Sequence, residues 1–131
     1  MSAKEAPESW KVSAEEQRMR FDLEERTFCF ARDTRTFVRA LPRTLANVQD
    51  ARQLIRSSGS VGANYIEACE ALSKKDLAMR MKICRKEAKE THYWLRLLYL
   101  DPDPALEATR QKLLREAHEL TSIFGSIVSK Y

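Results

Sequence analysis

Apolar residues return at intervals of three and four in four stretches of the chain, the period of amphipathic α-helices. In the first stretch Phe30, Thr34, Phe37 and Leu41 form one stripe, flanked by Phe28, Ala31 and Val38. The spacing predicts a helix from near Asp22, where Asp22 and Glu25 make an aspartate version of a capping box. It ends at Leu41, because a residue before proline avoids the helical region. The second stripe is Ala51, Leu54, Ser58, Val61, Tyr65, Ala68 and Leu72. Asn47 is the expected cap, with Asp50 favouring the dipole in the first turn. The third, Leu77, Met81, Cys84, Ala88, Thr91, Leu95 and Leu98, predicts a helix over residues 74–100, opened by Ser73 and Asp76. Asp101-Pro102-Asp103-Pro104 stops it, and Asp103 then caps a fourth helix with Pro104 at its first position. That helix carries Leu106, Leu113, Leu120 and Ile127 at sevenfold spacing, with Thr109, Ala117 and Phe124 beside them.

No alternating apolar run between turn residues suggests a strand. Four helices on short connectors predict an all-α, antiparallel up-down-up-down four-helix bundle over residues 21–131. Residues 1–20 read as a polar tail with no sustained stripe. Trp10 within it is either a docking anchor or a solvated residue.

Two glycines, Gly59 and Gly62, fall inside the second helix, each costing about 1 kcal/mol there. The apolar phase runs unbroken across them, so one helix is expected. Gly59, Ser60 and Ala63 lie off the seam, where small residues let a neighbouring helix come close. The rival reading, a Gly-x-x-Gly clamp on a nucleic-acid backbone, needs surrounding strands.

The third helix has more apolar surface than a monomer requires. Beyond its core face runs a shoulder of Met79, Ile83, Trp94 and Leu97, interrupted by Glu87 and Glu90. Together they exceed the arc of roughly 100° that a surface helix buries. The excess predicts a second contact, with another subunit or a large ligand, and is read here as homo-oligomerisation with closed cyclic symmetry; the plainer reading is that this helix is the most buried of the four. Partly buried, Glu87 and Glu90 need cationic partners. Arg52, Arg56 and Arg80 are candidates, with pairing between subunits expected.

Charge changes the picture further. The chain of 131 residues carries a net charge of +4. Residues 74–100 alone hold eight basic residues against three acidic ones, more than the whole chain's excess. Lys75, Lys82, Lys86 and Lys89 fall on one strip at helical spacing, with Tyr93 on the same strip and Arg85 and Arg96 at its margin. Cations with an interspersed aromatic suit phosphate contact and base stacking on single strands. The bland reading is a solvated helix face.

Chemistry is otherwise sparse. Cys29, Cys69 and Cys84 have no histidines at ligand spacing and read as free thiols. The histidines occur as Glu90-Thr91-His92 and Glu116-Ala117-His118, an offset that turns the side chains about 200° apart on a helix. A dinuclear bundle site needs Glu-x-x-His instead, so no metal or other cofactor is expected. No nucleophile elbow, phosphate loop or zinc pattern occurs. There is no apolar signal region in residues 1–20 and no run near the roughly 18 apolar residues of a membrane span. The expected location is the cytoplasm.

Certain segments carry a family resemblance. They are Phe21-Asp22-Leu23-Glu24-Glu25-Arg26-Thr27, Leu41-Pro42, Ser60-Val61-Gly62-Ala63-Asn64-Tyr65-Ile66-Glu67-Ala68, and Lys86-Glu87-Ala88-Lys89-Glu90-Thr91 with Trp94-Leu95. Over about residues 21–128 the chain resembles bacterial four-helix bundle proteins, some encoded in intervening sequences of large-subunit ribosomal RNA genes. The resemblance implies a ring, a pentamer with a central channel. Similar proteins include accessory factors of diversity-generating retroelements, which bind nucleic acid and a reverse transcriptase. By position, Asn64, Glu67, Glu87, Glu90 and Trp94 match the family's characteristic residues.

The expectation is a non-enzymatic, ring-forming bundle whose basic surface binds RNA or DNA. The alternatives are a protein scaffold with merely solubilising lysines, or an enzyme with an intersubunit pocket using Glu67, Glu87 or Glu90.

Overall fold

The structure, a computed structural model, describes residues 13–131. Four helices follow one another: α1 (Ala14–Arg39), α2 (Leu45–Cys69), α3 (Lys74–Leu97) and α4 (Pro104–Val128). Each packs on its neighbours in sequence, and α4 returns to close on α1, the layout of an up-down-up-down bundle. Trp10 lies outside the described residues.

The helix α1 starts two turns earlier than the apolar pattern predicts. Ser13, not Asp22, is the cap: its hydroxyl accepts from the Glu16 N–H at 3.0 Å and the Glu16 carboxylate accepts from the Ser13 N–H, a complete capping box. Residues 14–20 are all exposed, so no stripe announces them. In α2 the cap is Thr44, whose hydroxyl accepts from the Asn47 N–H. Asn47, expected to cap, is instead buried and used elsewhere. Leu72, expected on the α2 seam, is 99% exposed, because the helix stops at Cys69. In α3 the rod is unbroken but ends at Leu97, three residues before the predicted end. Arg110 terminates it, donating to the carbonyl of Leu98 at 2.6 Å and braced by Glu107 at 2.7 Å. Leu98 and Leu100 are buried all the same, in the extended segment that follows. Asp103 caps α4 as predicted.

The predicted stripes supply the core. Phe30, Phe37, Leu54, Val61, Tyr65, Cys84, Ala88, Leu95, Ala117, Leu120 and Phe124 are all buried. Thr109 alone among the predicted α4 positions faces water, with its hydroxyl bonded back to Ala105. Several hydroxyls share the interior. Thr27 donates to the carbonyl of Leu23, and Thr91 sits 2.8 Å from both the Ser57 hydroxyl and the Glu87 carbonyl. Thr34 is buried, and its hydroxyl has no hydrogen-bond partner among the described residues.

The glycines of α2 mark where α1 approaches. A Cβ on Gly62 would stand 3.0 Å from Thr27 Oγ1, and one on Gly59 would stand 3.1 Å from the Arg35 guanidinium. Both sites face a neighbouring helix, and no strand occurs among the described residues, so the backbone clamp has no framework. The α1–α4 contact is the thinnest of the four. It is bridged by Arg26, which holds Glu116 at 2.7 Å and Glu119 at 2.6 Å. The hydrogen bond to Glu116, ahead of Coulombic attraction, raises the Arg26 pKa.

Candidate nucleic-acid interface and the α2–α3 face

Three sides of α3 are used differently, as its helical phase dictates. Inward lies the core face. Outward, Lys75, Lys82, Lys86, Lys89 and Tyr93 are all exposed on one line. Arg85 and Arg96 are also exposed, on the side toward α4. The Arg85 Cδ lies 3.7 Å from where a Cβ on Gly125 would be. None of these six cations makes an ion pair among the described residues. Cations left without an internal counter-charge keep their full attraction for an external anion.

At the start of α3 the ridge widens into an open cleft of about 660 Å³. Lys74, Lys75, Lys82 and Lys130 surround Met79 and Tyr131 there. Lys74, Lys130 and Tyr131 were not expected in a site. Lys130 and Tyr131 come from the far end of α4, and their meeting with α3 follows only from antiparallel packing.

The third side of α3 turns toward α2. Met79 and Leu97 are about half exposed, at 53% and 49%, while Ile83 and Trp94 are half-buried. Tyr93 meets Trp94 edge-on at 5.1 Å, joining ridge and shoulder. Glu87 is buried, and Arg56 of α2 reaches it at 3.3 Å and Glu90 at 2.9 Å. Arg56 was among the expected partners, but the pair forms within one chain. Pairing between subunits is therefore not needed to compensate the buried carboxylate. Asn64 donates to both the carbonyl and the hydroxyl of Ser60, and its Oδ1 accepts from Arg80 at 3.1 Å. Glu67 is exposed on the same face and makes no ion pair among the described residues. The structure thus links α2 to α3 twice, through Arg56 with Glu87 and Glu90 and through Asn64 with Arg80.

Neither thiol nor imidazole chemistry is organised. Burial pushes the Cys84 thiol up to about 12, which makes it inert at neutral pH, and its sulfur contacts the Val61 carbonyl. Burial, then Cys69, raises Tyr65 above its usual range. Among the described residues no three His, Cys, Asp or Glu side chains gather where a metal could sit. No helix among them is long and apolar enough to cross a membrane.

The chain is similar to a solved structure from Bacteroides thetaiotaomicron, a protein of unknown function from the S23 ribosomal protein family. Identity is 28%, covering 80% of this chain and 96% of that one, with a TM-score of 0.66. No curated protein matches. Residues 20–126 match the family described as 23S rRNA-intervening sequence protein. On that match, which spans the bundle from α1 to the last turns of α4, the chain belongs to the 23S rRNA-intervening sequence protein family.

Proposed function

We propose that this protein is a non-enzymatic, ring-forming bundle of the cytoplasm that binds RNA or DNA along the outer edge of α3. The observation that carries the reading is the unpaired ridge: six exposed cations and Tyr93 on one helix, with no ion pair to any of the six among the described residues. The cleft of Lys74, Lys75, Lys82 and Lys130 extends the same field. Phosphates neutralised by such side chains release condensed counterions, and Tyr93 offers a face for a base. The exposed Met79 and Leu97, beside the partly buried Ile83 and Trp94, support assembly through the adjoining side of α3. The family resemblance favours five subunits. A reverse transcriptase is the partner class that resemblance suggests.

Anisotropy of a labelled single-stranded oligonucleotide, titrated at rising salt, tests the binding. Affinity should fall steeply with salt, and K82E/K86E/K89E should abolish it while circular dichroism stays unchanged. Unaltered binding by that folded variant overturns the ridge as the site. Light scattering reads assembly independently: a monomeric mass overturns the ring. If the oligonucleotide does not bind at all, the scaffold reading, with lysines that only solubilise, takes its place.

A further inference from the structure

Between Phe28 and Arg56 every basic residue is an arginine: Arg32, Arg35, Arg39, Arg43, Arg52 and Arg56. Three of them are occupied. Arg32 pairs with Asp33, Arg35 donates to the carbonyls of Ala31 and Ile55, and Arg56 holds Glu87 and Glu90. The other three, Arg39, Arg43 and Arg52, are exposed and make no ion pair or side-chain hydrogen bond among the described residues. These same three rim a groove of about 280 Å³ where the end of α1 meets the start of α2. Its floor is aliphatic, built from Val38, Leu41, Val48, Ala51 and Ile55. Asn47 fixes the floor's shape from beneath, since it donates to the Pro42 carbonyl at 2.9 Å.

The geometry points to a docking groove for a short acidic segment of a partner protein, one that seats an apolar side chain on the aliphatic floor and presents carboxylates to Arg39, Arg43 and Arg52. The volume selects the occupant's size. It falls just below the range of roughly 300–1,000 Å³ that holds whole small molecules, and suits one or two side chains. The charge selects its sign, because unpaired guanidinium groups form two-pronged hydrogen bonds with carboxylates. The floor selects peptide over nucleic acid. Bases stack on aromatic faces, and this floor has none, while an aliphatic surface favours an aliphatic or aromatic anchor. The groove shares no residue with the lysine ridge, so the two sites can be tested apart.

The probe is a labelled synthetic peptide of glutamates around two leucines, titrated into the full chain by anisotropy. Controls are the same peptide with serines for the leucines and a single-stranded oligonucleotide of equal charge. Saturable binding of the leucine peptide is expected, weakened about tenfold or more by R43E/R52E, and likewise by V48D. K82E/K86E/K89E should leave it unchanged. Arg43, Arg52 and Val48 are all exposed, so these variants should fold, and R43Q/R52Q checks the effect without reversed charge. Equal binding of the serine peptide overturns the proposal, since charge alone then suffices. So does insensitivity to both the arginine and the Val48 substitutions, displacement by the oligonucleotide from the wild type but not from K82E/K86E/K89E, or no saturable binding at all.

Discussion

Asn47 and Tyr99, 52 positions apart, exchange two hydrogen bonds: the Asn47 amide donates to the Tyr99 carbonyl at 2.7 Å and accepts from the Tyr99 N–H at 2.9 Å. The same amide donates to Pro42. One side chain therefore ties the α1–α2 connection to the segment after α3, two loops at the same end of the bundle. Removing it strands backbone groups that the fold has taken out of water. Asn47→Ala should cost about 2–4 kcal/mol in urea unfolding. Asn47→Asp, nearly identical in shape, should be no better. It keeps the acceptor for the Tyr99 N–H but turns a carboxylate oxygen toward two carbonyls. A loss below about 0.5 kcal/mol for the alanine variant contradicts the role.

Three glycines sit within helices, and their surroundings predict different signs. Alanine at any of them gains about 1 kcal/mol of helix propensity. At Gly125 the new Cβ meets Arg85 Cδ at an ordinary 3.7 Å, so Gly125→Ala should stabilise by most of that amount. At Gly62 it meets Thr27 Oγ1 at 3.0 Å and Thr27 Cβ at 3.2 Å, on a side chain fixed by its bond to Leu23. Gly62→Ala should therefore destabilise by about 1–3 kcal/mol as α1 is pushed away. Gly59→Ala meets only the end of the flexible Arg35 and should fall between them. Melting temperatures of the three variants give the order.

What the sequence made legible follows from range. The four seams are local periodicity, and Leu54, Val61, Cys84, Leu95 and Leu120 are buried where the phase puts them. The lysine ridge was legible for the same reason, being the complement of the α3 seam. Leu72 was misplaced because phase says nothing about where a helix stops. The start of α1 was hidden because its first turns bury nothing, although Ser13 and Glu16 carry the capping spacing. Asn47 could not be read at all: its partner is 52 positions away. The arginine-rimmed groove was missed for a related reason, since it is assembled from the end of one helix and the start of the next.

His92 gives the bundle a pH dependence. Its pKa is lowered from 6.5, first by desolvation and then by the positive charges of Arg96 and His118. The unfolded chain thus takes up this proton more readily than the folded one. The contribution is fully present above the unfolded value of 6.5 and is lost as the pH falls from there through the lower folded-state value. Water still reaches the ring, so the effect should be small. The drop in melting temperature between about pH 7.5 and about pH 5.5 should be smaller in His92→Gln than in the wild type. An equal drop in both assigns the dependence elsewhere.

Arg56 and Glu87 should behave as a unit. The Glu87 side chain is only 7% exposed, whereas that of Arg56 is 52% exposed, so the carboxylate depends on the arginine and the arginine does not depend on it. Removing the cation leaves a buried charge without its partner, while removing the charge leaves a solvated cation that still holds Glu90. Arg56→Met should cost about 1–3 kcal/mol. Glu87→Gln should cost less, because a neutral amide is cheaper to bury and can still bond Arg56. The double variant should be more stable than the sum of the single losses predicts, by about 0.5–2 kcal/mol in a double-mutant cycle. Strict additivity means that Glu87 is held by something other than Arg56.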